Sequence, residues 1–288
     1  MSTAHTPAAA GGADEAPLLI STEGAVRVLT LNRPQALNAF TTGLLSQLRI
    51  ALDEAATDAN VRAVLITGSG RAFCAGQDLS DPHIKPEFDE HTGEVDVHRK
   101  PKAKDIGNLL DHYYIPLALR LRSMPVPTIC AVNGVAAGAG ANFALGCDLV
   151  LAGQSASFIQ AFSKIGLVPD CGGTWLLTRL VGRARALQLA LLGDKLPAEQ
   201  AQQWGLIARC VADADLMSEA MVVAQKLSKM PTRALVQTRQ ALDASMDLEF
   251  EDALKLEARM QSQLGYAHDY LEGAAAFLSK RPPVFKDR

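Results

Sequence analysis

A run of small residues at positions 133–142 constrains the fold of this chain more than any other segment. Most of its members are glycine or alanine, so a neighbouring backbone or a ligand can approach it closely. The run follows an apolar stretch at 127–132 that is typical of a buried strand, and it leads into a helix predicted over 138–147. It is interpreted either as close packing of that helix on a sheet, or as a helix N-terminus whose free amides face a developing oxyanion.

Strand-like and helix-like segments alternate as far as about residue 195. Strands are predicted at 18–21, 26–32, 62–67, 127–132 and 149–152, and helices at 37–56, 106–123 and 138–147. Beyond residue 174 the pattern is almost wholly helical, apart from a short strand at 208–211. The alternation predicts an α/β fold with right-handed crossovers.

The same patterns divide the chain into three parts. Residues 1–16 are rich in alanine, glycine and proline and are predicted to be a disordered tail. A core at 17–195 is expected to carry the site, and a helical region is expected at 196–288. A long polar segment at 80–104 is expected to be a lid or binding loop, or to be disordered.

Composition excludes several classes of function. The formal net charge of the 288-residue chain is −3, which gives no reason to expect a nucleic-acid partner. No apolar run is long enough to span a membrane, and the first residues lack the pattern of a signal peptide or presequence, so we expect a cytoplasmic protein. The five cysteines show no metal-ligand spacing, and no metal is expected.

Two further turns are rich in small residues. Residues 72–79 follow a predicted strand, and residues 166–175 place a single carboxylate, Asp170, in an apolar and glycine-rich setting. Burial there would raise the pKa of Asp170 and suit it to acid–base work. The alternative is that Asp170 caps the helix that begins near Thr174.

Taken together, these turns resemble the crotonase (enoyl-CoA hydratase/isomerase) superfamily. The resemblance rests on five segments in the same order, at 31–40, 72–79, 133–142, 166–174 and 272–281. It implies a core built as a spiral of ββα units and a helical C-terminal region that trimerises, giving a homotrimer or a dimer of trimers. It also implies an acyl-CoA thioester substrate, in which coenzyme A is part of the substrate and no separate cofactor is needed.

The resemblance assigns roles to individual positions. The two backbone amides of the family's oxyanion hole fall on Ala75 and Ala139. Substrate contacts fall on Gln35, Ala36, Leu37, Gln77, Asp78, Leu79 and Gly138, and on Phe277 and Lys280, where some members reach the nucleotide of a neighbouring subunit.

Two departures from the family pattern favour an isomerase. The two glutamates of family hydratases fall on Asn142 and Phe162, which cannot exchange protons near neutral pH and are kept as substrate-binding candidates. Asp170 is then the single proton shuttle. Segments at 73–79, 131–140 and 161–177 resemble members that convert ring-1,2-epoxyphenylacetyl-CoA to oxepin-CoA, and a shift of 3-enoyl-CoA to 2-enoyl-CoA needs the same chemistry.

Alternatives remain open at this point. The chain could be a hydratase with an atypical acid–base pair, or a CoA-ester binding protein without chemistry. An aspartate at this turn also serves as the nucleophile in family dehalogenases that act on 4-chlorobenzoyl-CoA. His112, Tyr113 and Tyr114 are interpreted either as lining of the acyl pocket or as ordinary packing.

Overall fold

The computed structural model describes residues 16–85 and 105–288. The predicted disordered tail, apart from Ala16, and most of the polar segment at 80–104 lie outside these ranges. Among the described residues, no helix combines the length and the apolar character that crossing a bilayer would require.

The described residues form ten strands and ten α-helices. The strands are β1 Leu18–Glu23, β2 Val26–Leu31, β3 Ala63–Gly68, β4 Ala72–Cys74, β5 Thr128–Val132, β6 Val135–Ala137, β7 Leu149–Gly153, β8 Ser157–Ile159, β9 Lys195–Pro197 and β10 Arg209–Val211. The helices are α1 Thr42–Thr57, α2 Ile106–Leu109, α3 Ile115–Arg122, α4 Ala139–Leu145, α5 Gly173–Leu192, α6 Ala198–Gln203, α7 Leu216–Ser228, α8 Thr232–Ser245, α9 Phe250–Gly265 and α10 His268–Leu278.

The strands form two sheets whose members alternate along the chain. One sheet has the order β1-β2-β3-β5-β7-β10 and is parallel except for the β1–β2 hairpin. The other has the order β4-β6-β8-β9, with β9 antiparallel to β8. Each of the pairs β3/β4, β5/β6 and β7/β8 therefore gives one strand to each sheet before the chain turns into helical structure. This arrangement confirms the predicted α/β class with a repeated ββα unit.

Helix α1 and helix α7 cover different parts of the larger sheet. The apolar face expected for the first helix, including Leu44, Leu48 and Leu52, is fully buried. On α7, Leu216, Ala220 and Ala224 pack with residues of β2, β3 and β5 in a second core cluster. The boundary proposed at residue 195 stays a prediction. β9 and β10, which begin at or after that residue, are the last strands of the two sheets.

The predicted helix at 37–56 is wrong in its first five residues. Leu37 and Asn38 adopt positive φ angles of 50° and 56°, which a helix cannot include, and α1 begins at Thr42 with the Thr41 side chain as its cap. The Asn38 side chain holds this turn, since its amide nitrogen donates to the carbonyls of Ser69 and Ala72 at 2.9 and 2.8 Å. The 31–40 segment is thereby fastened to the 72–79 turn.

The helix predicted at 106–123 is also interrupted. Residues Leu110–Tyr114 form a π-helical turn between α2 and α3. Pro116, which has no amide hydrogen to donate, stands in the first turn of α3. The wider turn changes which side chains face inward, and Tyr114 is among the buried ones.

Candidate active site

The three turns singled out in the sequence meet around one cavity. Gly76 has a φ of +93°, and a Cβ placed on it would lie 2.9 Å from the Ala137 carbonyl and 3.8 Å from the Ala139 nitrogen. Glycine is therefore what lets the 72–79 turn approach the start of α4. A cavity of about 240 Å³ lies there and is lined by Ala75, Gly76, Gln77, Gly138, Ala139 and Asp170, among other residues.

The amide expected from Ala75 is not available to a ligand. The Ala75 N–H donates to the Leu37 carbonyl at 3.0 Å, so this amide fastens two turns of the protein together. The assignment of Ala75 as an oxyanion donor is therefore wrong. The reason is that the direction of an amide depends on the local backbone, and the positive φ of Gly76 redirects the chain immediately afterwards.

Gln77 offers the amide that Ala75 does not. Gln77 forms an isolated parallel bridge with Phe40. The Phe40 N–H donates to the Gly76 carbonyl at 2.7 Å, and the Asp78 N–H donates to the Phe40 carbonyl at 2.8 Å. In such a bridge the backbone groups of the middle residue point away from the partner, so the Gln77 N–H faces away from Phe40. Within residues 16–85 and 105–288, no acceptor takes this N–H.

Ala139 is the first residue of α4, where amides have no partner inside the helix. The preceding residue, Gly138, has a φ of +51° and donates its own N–H to the Ile159 carbonyl at 2.8 Å. In the part of the chain that the structure describes, the Ala139 N–H has no acceptor. Gln77 and Ala139, whose amides have no acceptor among the described residues, thus line the same cavity.

Asp170 lies on the wall of this cavity and does not cap a helix. The N-terminal cap of α5 is Gly172, and among the described residues no side-chain cap hydrogen bond forms there, so the alternative role of Asp170 as a cap is wrong. The Oδ1 atom of Asp170 is buried and has no hydrogen-bond partner among the described residues. Burial raises the pKa of Asp170 to about 6. A carboxylate in this state is a better base than an exposed one.

The backbone of the Asp170 turn is held from behind by Asn142. The Asn142 side chain is fully buried, donates from Nδ2 to the Asp170 carbonyl at 2.8 Å and accepts from Gln160 at 2.8 Å. Both of its polar atoms are therefore occupied, and Asn142 supports the turn from outside the cavity lining. Phe162 does line the cavity, and its ring edge would lie 3.7 Å from a Cβ placed on Gly138.

The residues expected to contact coenzyme A fall into two groups. Gln35, Ala36 and Leu37 stand beside the 72–79 turn, because Leu37 accepts the Ala75 amide and Arg33 pairs with Asp78 at 2.8 Å. Leu79 is more than half exposed and lines the cavity together with Gln77. The Asp78 carboxylate also accepts from Ser80. Burial alone would raise the pKa of the Asp78 carboxyl, but the bonds from Ser80 and Arg33 together outweigh burial, so the pKa is lowered.

Phe277 and Lys280 form the second group and do not line this cavity in their own chain. Phe277 stands at the end of α10 with 84% of its surface exposed. Lys280 follows in an exposed turn with a φ of +52°. Their predicted contact with a neighbouring subunit stays a prediction.

Tyr114 is a cavity residue for which the sequence left two interpretations open. Its hydroxyl donates to the Gln77 side-chain Oε1 at 2.6 Å, and its ring lines both this cavity and an adjoining one of about 310 Å³. Asp170 lines both cavities as well. Lys164 also lines the cavity with a charged side chain. No pattern in the sequence singled this residue out.

The chain matches the family model described as enoyl-CoA hydratase/isomerase over residues 21–288. It is 47% identical over 268 residues to 1,2-epoxyphenylacetyl-CoA isomerase of Escherichia coli K12, which covers 93% of this chain and 97% of that protein. It is 38% identical to 2,3-dehydroadipyl-CoA hydratase of the same organism, over 94% of this chain and 99% of that protein. Among solved structures, enoyl-CoA hydratase of Mycobacterium smegmatis superposes with a TM-score of 0.82 at 30% identity, covering 94% of this chain and 99% of that one.

Proposed function

Because the chain belongs to the enoyl-CoA hydratase/isomerase family and is an enzyme of that family, we propose that it is an acyl-CoA isomerase with Asp170 as its proton shuttle. One observation carries the proposal: among the described residues, Asp170 is the one carboxylate that lines the cavity, its pKa is raised and its Oδ1 has no partner, and it shares the cavity with two residues, Gln77 and Ala139, whose backbone amides have no acceptor. The positions where hydratases of the family carry glutamates hold Asn142 and Phe162. An isomerisation needs only one group that removes a proton and returns it.

The reaction proceeds through an enolate. Asp170 takes a proton from the carbon beside the thioester carbonyl, and the electron pair of that C–H bond moves into the carbonyl, whose oxygen becomes negative. The N–H groups of Gln77 and Ala139 donate to that oxygen. The protonated Asp170 then returns its proton to the γ carbon, so that a 3-enoyl thioester becomes a 2-enoyl thioester without any change in oxidation state.

The acyl group is proposed to be apolar and of about the size of an aromatic ring. Ile84, Leu109, Leu110, Phe162 and Leu167 contribute the apolar wall of the cavity. The 47% identity to an epoxyphenylacetyl-CoA isomerase supports the ring epoxide of phenylacetyl-CoA, opening to oxepin-CoA, as one substrate. In the opening of the ring epoxide, as in the shift of the double bond, the thioester oxygen gains negative charge, so the same two amides can stabilise it.

Replacing Asp170 by asparagine tests the proposal. Asp170→Asn keeps the shape of the side chain and removes the base, so we expect turnover of a 3-enoyl-CoA to fall at least about 100-fold. Binding of the CoA ester, measured by calorimetry, should persist, because the amides and the apolar wall are untouched. Appearance of the conjugated 2-enoyl thioester is followed by absorbance.

The matched control is Asp111→Asn, which alters an exposed carboxylate on the π-helical turn that does not line the cavity. This variant should turn over substrate like the wild type. Full activity of Asp170→Asn would remove Asp170 from the mechanism. Loss of binding together with turnover would point to a structural role for the side chain.

Hydration is the second candidate, because a relative at 38% identity is named a hydratase. A hydratase would consume the conjugated absorbance of crotonyl-CoA, whereas the proposed isomerase leaves that ester unchanged. A protein that only binds CoA esters would bind crotonyl-CoA and a 3-enoyl-CoA tightly and convert neither.

A homotrimer, or a dimer of trimers, is proposed as the working assembly. Phe277 and Lys280 point to it, because they stand where family members reach the CoA nucleotide of a neighbouring subunit and because neither lines the cavity of its own chain.

A further inference from the structure

We propose that Tyr114 is a positioning residue that fixes the Gln77 amide in the direction needed by the enolate oxygen. The inference rests on the proposed function, because it concerns one of the two proposed amide donors. The hydrogen bond from the Tyr114 hydroxyl to the Gln77 Oε1 atom, 2.6 Å long, is the observation on which it stands.

Gln77 is held on both sides by this arrangement. Its neighbours Gly76 and Asp78 are bonded to the backbone of Phe40 at 2.7 and 2.8 Å, which fixes the plane of the chain. The Gly76 carbonyl and the Gln77 N–H belong to one planar peptide unit, so the bond from Phe40 sets the plane of that unit. On the cavity side, no protein group within the described ranges accepts the Gln77 N–H. The Tyr114 hydroxyl anchors the side chain on that side, and the Gln77 Nε2 atom donates to the Asp78 carbonyl at 3.3 Å.

Tyr114 is itself fixed by aromatic contacts that reach the second donor. The ring of Tyr114 meets Phe40 edge-on at 6.1 Å between centroids, and Phe40 meets Phe143 edge-on at 5.7 Å. Phe143 belongs to α4, the helix that begins at Ala139. The three rings therefore connect the π-helical turn, the bridge partner of Gln77 and the helix of Ala139. The hydroxyl bond links this row of rings to Gln77, so the two amides are connected through it.

The Tyr114 hydroxyl keeps its proton at neutral pH. Burial raises the pKa of Tyr114 well above its ordinary value, and the negative charge of the nearby Asp170 raises it further. The hydroxyl is thus a donor throughout the pH range in which Asp170 works. This distinguishes a role in positioning from a role in proton transfer, which would require the hydroxyl to ionise.

The test compares polarisation of a bound thioester carbonyl with turnover. Phenylacetyl-CoA labelled with ¹³C at the carbonyl is bound to the full-length protein, and its C=O stretching frequency is measured by infrared difference spectroscopy. In the wild type we expect a shift to lower frequency relative to the free ester. In Tyr114→Phe, which keeps the ring and removes only the hydroxyl, we expect a smaller shift and about a tenfold lower kcat, with KM little changed.

Two further variants keep the test decisive. Gln77→Leu removes the same hydrogen bond from the other side, and the double variant should lose no more activity than the more impaired single one. The control is Tyr113→Phe, which removes the hydroxyl of the adjacent residue, a tyrosine that does not line the cavity. Tyr113→Phe should match the wild type in both readouts.

The outcomes separate the two proposals. A wild-type protein that leaves the carbonyl frequency unshifted contradicts the paired amides and hence the proposed function itself. A normal wild-type shift that Tyr114→Phe and Gln77→Leu both preserve contradicts only the positioning role of Tyr114. Additive losses in the double variant would also overturn that role, because they would mean that the two side chains act separately.

Discussion

At the scale of single residues, Asp170 holds a charge in surroundings that disfavour it. Burial raises its pKa to about 6. The base must be deprotonated in the free enzyme, so we expect kcat/KM for a 3-enoyl-CoA to rise with pH through about 6 and then to level off. A profile recorded between about pH 5 and pH 8 with wild type and Asp111→Asn should show the same midpoint for both. A flat profile over this range would assign the base to another group.

The residues of the site differ in how far sequence could predict them. Asp170 stands out because a lone carboxylate in a glycine-rich apolar turn has few structural uses, and the structure places it on the cavity wall. The choice between Ala75 and Gln77 could not be made in the same way. It depends on the φ of Gly76 and on the bridge to Phe40, neither of which leaves a periodic signal in the chain.

At the scale of elements, the close contact between α4 and β4 fixes where the Ala139 amide lies. A Cβ placed on Gly140 would come within 2.6 Å of both the carbonyl oxygen and the sulfur of Cys74. We therefore expect Gly140→Ala to push α4 away from β4, to lower the free energy of unfolding by about 1–3 kcal/mol and to reduce kcat. Chemical denaturation and steady-state kinetics on the same sample measure both effects.

Gly43→Ala is the matched control for that prediction. Gly43 lies in the first turn of α1, and a Cβ there would meet only Thr41 Oγ1, at an ordinary 3.8 Å. The methyl group should raise the free energy of unfolding by up to about 1 kcal/mol and leave kcat unchanged. If Gly140→Ala behaves like Gly43→Ala, the small residues of α4 do not set the position of the amide.

The elements of the larger sheet were predictable, and most of the smaller sheet was not. β3, β5 and β7 are apolar runs that are buried over nearly their whole length, so composition alone marks them. β4, β6 and β8 have three residues each, and β6 consists of one valine and two alanines inside the small-residue run. Strands this short have no detectable period, and their pairing is decided by the neighbouring chain.

At the scale of the whole molecule, the helical C-terminal region is tied into the core. β10 pairs with β7, and the guanidinium group of Arg288 donates to the carbonyls of Ala55, Ala56 and Val61 at the end of α1 and beyond it, at 2.6–3.1 Å. Local patterns could indicate that residues after 174 are helical, but not that α7 would cover the sheet. That depends on contacts between distant parts of the chain, which periodicity does not encode.

Large apolar side chains are exposed towards the end of the helical C-terminal region. Phe277, Leu278 and Tyr266 each expose more than four fifths of their surface, and we expect a neighbouring subunit to cover them. We expect sedimentation to give three or six times the chain mass of 30.7 kDa. If Lys280 completes a neighbour's site, Lys280→Glu and Asp170→Asn are each impaired as pure assemblies, while assemblies reconstituted from a mixture of both regain activity.

The recovery has a specific physical reason. In a mixed assembly, a subunit with native Asp170 can receive native Lys280 from a neighbour that carries Asp170→Asn, so some sites are complete. A mixture of Asp111→Asn and Asp170→Asn, reconstituted in the same way, shows how activity falls by dilution alone. A sedimentation mass of one chain, or mixed assemblies no more active than the average of their parents, would place Lys280 outside the site of any neighbour.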